Sequence, residues 1–167
     1  MPPWLLALAF WLHMVATVAW LGGLFFSAAI LDPVLTRRLA AREQILVLVS
    51  VRRRFEPLAW LSLAILVVTG LAQMTANPNY QGTLVIANRW SLAILAKHVA
   101  VALMILAACY QTWFVRPRLE RMALLTLSGQ QAGHGPPGSV TEQMTLSQVN
   151  LALSLVVLAL TALARTA

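Results

Sequence analysis

The chain has 167 residues, of which 60% are hydrophobic and only 10% charged, and its mean hydropathy is +0.78. An average soluble domain is about 45–50% apolar and about 25% charged, so the composition argues against a soluble enzyme, a disordered regulator or a secreted disulfide scaffold. The net charge of +7 comes from basic residues between apolar runs, which indicates membrane topology and no nucleic-acid partner.

Four apolar runs predict an all-α, integral membrane four-helix bundle, formed as a single transmembrane domain over residues 1–167. The first run has no charged residue before Asp32. It exceeds the roughly 20 residues that cross a hydrocarbon core of about 30 Å. It also lacks a basic leader and is too long for a signal-peptide core, so we expect it to be retained as a span. The predicted spans are about 4–31, 58–74, 90–115 and 146–164.

The arginines predict how the bundle is oriented. Nine lie in the predicted loops 32–57 and 116–145, and two lie on the opposite side. Because basic loops remain in the cytoplasm, we expect both loops to be cytoplasmic and both termini to face the periplasm. The protein would then be a multi-pass protein of the inner (cytoplasmic) membrane. Within the first loop, residues 36–51 could form an interfacial helix with its arginines toward the lipid headgroups. Its lipid-facing residues would be Leu39, Ile45, Leu46 and Val49.

Two further features of the runs concern helix ends and packing. Pro33, Pro57 and Pro117 fall just outside the runs, where helix ends tolerate proline. Trp20 lies deeper than the other tryptophans of the first run, and it is expected to pack between helices.

Only three ionisable residues fall inside the predicted spans, namely His13, Lys97 and His98. Such groups are costly in a membrane and mostly face the bundle interior or a cavity. The two histidines lie at similar depths, roughly 12–13 Å from the outer boundary by helical rise, on helices that run in the same direction. They could therefore hold a metal, and the iron of a b-type haem takes two axial ligands. The simpler alternative is that each histidine makes an interhelical hydrogen bond.

Lys97 has several possible roles beside such a site. Its ammonium could snorkel outward, pair with a haem propionate, or lose its proton and ligate iron. Lys97 and His98 are about 100° apart around a helix, so only one of them is expected to be an axial ligand.

Copper is the alternative metal. Cu(I) prefers thiolate and thioether ligands, but the sequence has no Met-x-x-Met or Cys-x-x-Cys motif. Cys109 and the methionines are therefore expected to fill the core. The sequence also lacks a phosphate-binding glycine loop and paired carboxylates. An electron-transfer or accessory role is expected in preference to an enzyme.

Several motifs resemble those of the copper-resistance protein D (CopD) family. The resemblance covers residues 1–121, with a weaker echo in 146–164, and it implies a role in copper transport or resistance. The motifs are Leu12-His13, Trp20-Leu21-Gly22-Gly23-Leu24-Phe25-Phe26, Leu31-Asp32-Pro33, Arg53-Arg54-Phe55, Val68-Thr69-Gly70-Leu71, Trp90, Leu95, Lys97 and Arg116-Pro117-Arg118-Leu119.

The chain also resembles the HemJ-type protoporphyrinogen oxidases of the same superfamily. That resemblance implies that His13 and Lys97 are associated with haem or substrate. His98, beside the lysine, departs from the HemJ pattern and favours a bis-histidine site. We therefore expect a CopD-like protein of the lipid bilayer that binds haem b through His13 and His98, between the first and third helices. It would act in electron transfer or within a larger respiratory or photosynthetic membrane complex. Copper transport, an accessory subunit without a cofactor, and HemJ-like oxidation are the alternatives.

Overall fold

The computed structural model describes residues 2–76, 89–128 and 138–166. Within these ranges, all regular secondary structure is helical. Four helical segments are long and apolar enough to cross a membrane, and only 11–17% of each apolar window is buried inside the protein. The remaining apolar surface must face lipid, since soluble monomers do not expose contiguous apolar surface on this scale. The predicted all-α, four-helix membrane fold is confirmed, and its environment is the lipid bilayer.

The first two membrane-crossing segments form the N-terminal hairpin. α1 (Pro3–Phe25) continues through a π-helical turn (Phe26–Leu31) into α2 (Asp32–Arg38) without a break. Two residues then connect α2 to α3 (Ala41–Thr75), which packs back along α1.

The last two segments form the C-terminal hairpin, in which the elements follow the same order. α4 (Arg89–Tyr110) continues through a π-helical turn (Gln111–Val115) into α5 (Arg116–Leu127), and α6 (Gly138–Thr166) packs along α4. Contacts of α1 with α6, and of α3 with α5, join the two hairpins into one bundle.

Each π-helical turn ends just before a proline. Pro33 and Pro117 have no N–H to donate to the carbonyl four residues earlier, and a proline ring clashes with that carbonyl. The N–H of the preceding residue, Asp32 or Arg116, bonds instead to the carbonyl five residues earlier. The additional residue in the turn accommodates the proline without ending the helix.

The helices extend beyond the predicted spans at the arginine-rich end of the bundle. Most described residues of the segments 32–57 and 116–145, predicted as loops, are helical, and Pro57 lies inside α3. Ile45 is buried in the cluster at this end, and Leu39, Leu46 and Val49 pack against the same cluster, so these side chains pack inside the protein rather than toward lipid. Hydropathy identifies the part of a helix that lipid surrounds, whereas tertiary packing determines how far the helix continues. The buried cluster at this end contains Leu35, Ile45, Leu48, Val115, Leu119, Ala123 and Val140.

A second apolar cluster lies between the two hairpins and consists of Trp20, Leu63, Met104 and Ala108. The Trp20 Nε1–H donates to Ser154 Oγ at 3.2 Å, which confirms the packing between helices predicted for this tryptophan. Along α1, Trp20 lies between His13 and the arginine-rich end, and along α3, Leu63 lies between Thr69 and that end. This cluster, called the apolar layer below, therefore separates the region of His13 from the arginine-rich end.

Candidate intramembrane histidine site

His13 is half-buried on α1 and is bonded to α3. Its Nδ1 lies 2.8 Å from Thr69 Oγ1, and the Thr69 hydroxyl donates to the Ile65 carbonyl at 2.5 Å. A threonine hydroxyl has a single proton, and the 2.5 Å contact assigns it to the Ile65 carbonyl, which leaves Oγ1 as an acceptor for the imidazole N–H. The neutral His13 ring therefore carries its proton on Nδ1, and the lone pair of Nε2 is available.

The backbone of α3 approaches the His13 ring closely. A Cβ atom on Gly70 would lie 3.5 Å from His13 Cε1, in ordinary van der Waals contact. One turn further along α3, Gln73 Nε2 donates to the Ala9 carbonyl of α1 at 3.3 Å. Hydrogen bonds from α3 to α1 thus hold the helix on which His13 lies as well as the ring itself.

His98 lies on α4 with its side chain exposed. Its Nδ1 is 2.7 Å from the Ile94 carbonyl, one turn earlier in the same helix. A carbonyl can only accept, so Nδ1 carries the proton and Nε2 has the lone pair, as in His13. Histidines that ligate metals almost always donate their second ring N–H to an oxygen in this way. Both predicted ligands therefore have a protonation pattern that suits a metal.

Lys97 is half-buried on α4, and its charge is close enough to His13 to act on the imidazole electrostatically. The structure thus brings His13 and Lys97 into one region, whereas the side chain of His98 lies at the surface. Successive side chains of a helix point about 100° apart, which accounts for the different environments of the two neighbours. A shared site for His13 and His98 remains a prediction.

Two soft side chains of α4 lie at or beyond the apolar layer and not at the level of His13. Met104 belongs to the apolar layer, where its Sδ accepts from Ser154 Oγ at 3.9 Å, and Cys109 is a half-buried free thiol. Among the described residues, no group of three or more His, Cys, Asp or Glu could hold a metal ion. A metal at His13 would therefore need an amine, an imidazole from another helix or a non-protein group to complete its coordination.

A second polar cluster lies at the arginine-rich end. Its charged residues lie outside the predicted spans, so they are not among the intramembrane ionisable residues that the sequence identifies. It surrounds a cavity of about 100 Å³ that all four membrane-crossing segments line. A signal for it is present in the sequence, because polar residues recur every three or four positions along one face of α6. These buried residues are Gln143, Ser147, Asn150 and Ser154.

The fold and the two histidines define a multi-pass helical membrane protein with candidate metal ligands in its spans. Residues 49–164 match the family model described as CopD, copper resistance protein D, so the chain belongs to the CopD family. Lys97 and His98 lie within the matched segment and His13 lies before it. The family resemblance is confirmed, while the relationship to HemJ-type oxidases stays a prediction. No curated protein and no solved structure shows significant similarity to the chain.

Proposed function

We propose that the chain handles copper in the inner (cytoplasmic) membrane and that His13 Nε2 is a copper ligand within the bilayer. One observation carries this proposal. Thr69 Oγ1 contacts both the Ile65 carbonyl and His13 Nδ1, and from this pair of contacts we infer the Nδ1–H tautomer of His13, in which Nε2 is unprotonated. Imidazole is a suitable ligand for copper, and membership of a family described by copper resistance supports copper as the substrate.

The described residues contain no group of three or more His, Cys, Asp or Glu that could hold a metal ion, which fits an ion that moves. An ion that crosses a membrane must bind well enough to enter a site and weakly enough to leave it. A single imidazole with a few transient partners meets this requirement better than a closed cage. The Lys97 charge acts on the same imidazole, so it opposes a cation there and limits how long copper stays.

A haem b site is the second candidate, and the proximity of Lys97 to His13 favours it. The ammonium could pair with a propionate, and both histidines have Nε2 available for iron. His13, together with His98 or Lys97, would hold the haem iron. Haem supplies one-electron redox chemistry when bound, which would suit a subunit of a larger respiratory or photosynthetic complex.

The purified full chain in lipid nanodiscs distinguishes the two candidates. We expect a Cu(I) titration under reducing conditions to saturate at one copper per chain, and a pyridine haemochrome spectrum of the same sample to show no haem. His13→Ala should abolish copper binding. Met14→Leu is the matched control, because it removes a lipid-facing thioether, 59% exposed, next to His13, and should bind copper as the wild type does.

Lys97→Leu separates the candidates a second time, because the lysine has opposite roles in them and leucine adds no thioether ligand for Cu(I). If copper is the ligand, loss of the opposing charge should raise the Cu(I) affinity. If haem is the ligand, loss of the propionate partner or axial amine should lower the amount of haem that co-purifies. Stoichiometric haem in the wild type that disappears in His13→Ala would replace the copper proposal with the haem candidate. Unchanged copper and haem contents in His13→Ala would reject His13 as a ligand for either.

A further inference from the structure

The cavity at the arginine-rich end contains three buried polar atoms that lack a hydrogen-bond partner in the described part of the chain. They are Asp32 Oδ2, Gln111 Nε2 and Asn150 Oδ1, on residues that are 5%, 7% and 1% exposed. All three residues line the cavity. An unsatisfied buried polar group costs about 1–3 kcal/mol, so these atoms call for a ligand that both donates and accepts. Water does both, and the cavity of about 100 Å³ has room for several molecules at about 10–15 Å³ each.

Direct ion pairs satisfy two of the three carboxylates that line the cavity. Arg116 Nη1 lies 2.6 Å from Glu56 Oε2, and Arg116 Nε lies 2.9 Å from Glu120 Oε1. Asp32, from the start of α2, has no ion pair within 4 Å in the described residues. It is therefore the carboxylate that depends most on another source of positive charge.

Arg52 is the other cation of the cavity, but its direct partners are neutral. It donates from Nη2 to Ser147 Oγ at 2.5 Å and from Nη1 to Gln111 Oε1 at 3.4 Å. The amide oxygen of Gln143, when turned toward the guanidinium, also accepts from it. Arg52 reaches Asp32 only as a longer-range charge. α6 contributes neutral polar groups and no charge to the cavity lining.

The charges around the cavity leave one negative charge in excess. Two arginines, Arg52 of α3 and Arg116 of α5, face the carboxylates of Asp32, Glu56 and Glu120. A charge without a partner in a region of low dielectric is costly, and such a group tends to bind a counter-ion or a proton. Uptake of one proton would make the lining neutral overall.

Exposure of the charged groups falls steadily from the surface toward Asp32. The Glu120 side chain is 42% exposed and the Glu56 side chain is 15% exposed, and Asp32 is 5% exposed. Trp20 of the apolar layer lines the cavity on the side of His13. Glu120, the most exposed of the three carboxylates, is where the cavity lining reaches the surface of the protein.

We propose that this cavity is a hydrated proton-binding site and that Asp32 is the group that holds the proton. A hydronium ion at the protein surface gives up a proton, which passes along the cavity water to the Asp32 carboxylate. One O–H bond breaks in the hydronium ion, which becomes water, and one O–H bond forms at Asp32, which becomes a neutral carboxylic acid. Release reverses the step and returns the proton to water as hydronium. The proposal does not depend on which metal or cofactor His13 binds.

Infrared difference spectroscopy of the full chain in nanodiscs, recorded as a function of pH, tests the proposal. We expect a carboxylic-acid C=O band that grows as the pH falls, that shifts in D₂O, and that Asp32→Asn removes. Asp32 is one of only five acidic side chains, so the loss should correspond to one carboxyl group. Glu43→Gln is the matched control, because Glu43 is exposed and lies outside the cavity lining, and it should leave the Asp32 band intact.

Asn150→Leu is the second variant and keeps the test decisive if Asp32→Asn folds poorly. It retains the carboxyl but removes a polar partner of the cavity water, so the band should persist with a displaced pH midpoint. A band that is identical in the wild type and Asp32→Asn would overturn the assignment, as would an unchanged midpoint in Asn150→Leu. A carboxylic-acid band that does not shift in D₂O would show that water does not reach Asp32, which would contradict a hydrated cavity. A midpoint that moves when sodium replaces choline would make the ligand a metal cation instead of a proton.

Discussion

The chemistry of His13 depends on Thr69, a residue 56 positions away in the sequence. The sequence identifies His13, Lys97 and His98 as candidates, because an ionisable group in an apolar run is conspicuous. It cannot identify the hydroxyl that fixes the His13 tautomer, since that contact arises only when α1 and α3 pack. For the same reason, the different burial of Lys97 and His98 becomes visible only in the structure.

Substitution of Thr69 tests this dependence. Thr69→Val keeps the shape of the side chain but removes the acceptor for the His13 Nδ1–H. We expect the affinity for metal at His13 to fall about 10- to 100-fold, as it does when outer-shell partners of ligating histidines are lost. Thr69→Ser retains a hydroxyl and should preserve most of the affinity, measured by the same Cu(I) titration. Equal losses in both variants would mean that packing of the threonine methyl group, and not its hydrogen bond, supports the site.

At the scale of the helices, hydropathy predicts that four spans exist but not where their helices end. The prolines illustrate the difficulty. A proline beside an apolar run usually indicates a helix end, yet Pro33 and Pro117 follow π-helical turns within continuous helices, and Pro57 lies inside α3. The buried contacts of Leu35 and Leu119 beyond these turns account for the continuation, because packing can stabilise a helix against a local defect.

Replacing a leucine by alanine should change the free energy of unfolding by different amounts on the two faces of α5. Leu119 is 2% exposed and belongs to the buried cluster, whereas Leu124 is 67% exposed on the same helix. We expect Leu119→Ala to lower the free energy of unfolding by about 2–5 kcal/mol, since it opens a cavity in a packed core. Leu124→Ala should change it by less than about 0.5 kcal/mol. Denaturation of both variants in the same detergent checks the difference, and similar stabilities would contradict the packing at this end.

At the scale of the whole molecule, two hairpins with the same order of elements enclose chemically different halves. Among the described residues, the half that contains His13 has few charged groups, while the arginine-rich half contains the buried cluster and the cavity. The arginine distribution predicts that these halves face different compartments. The sequence shows the polar face of α6 but not the cavity itself, because the lining comes from all four membrane-crossing segments and its three carboxylates lie outside the apolar runs.

Labelling of single introduced cysteines tests which compartment each half of the bundle faces. In a Cys109→Ala background, Pro2→Cys marks the start of α1 and Ser50→Cys marks the arginine-rich end, and both positions are exposed. We expect a membrane-impermeant maleimide to label Pro2→Cys in intact spheroplasts and to label Ser50→Cys only after permeabilisation. The physical reason is that nine arginines lie at one end against two at the other, and moving each charge against a membrane potential costs about 2.3 kcal/mol per 100 mV. Labelling of Ser50→Cys in intact spheroplasts would reverse the orientation, and the proton at Asp32 would then come from the periplasm.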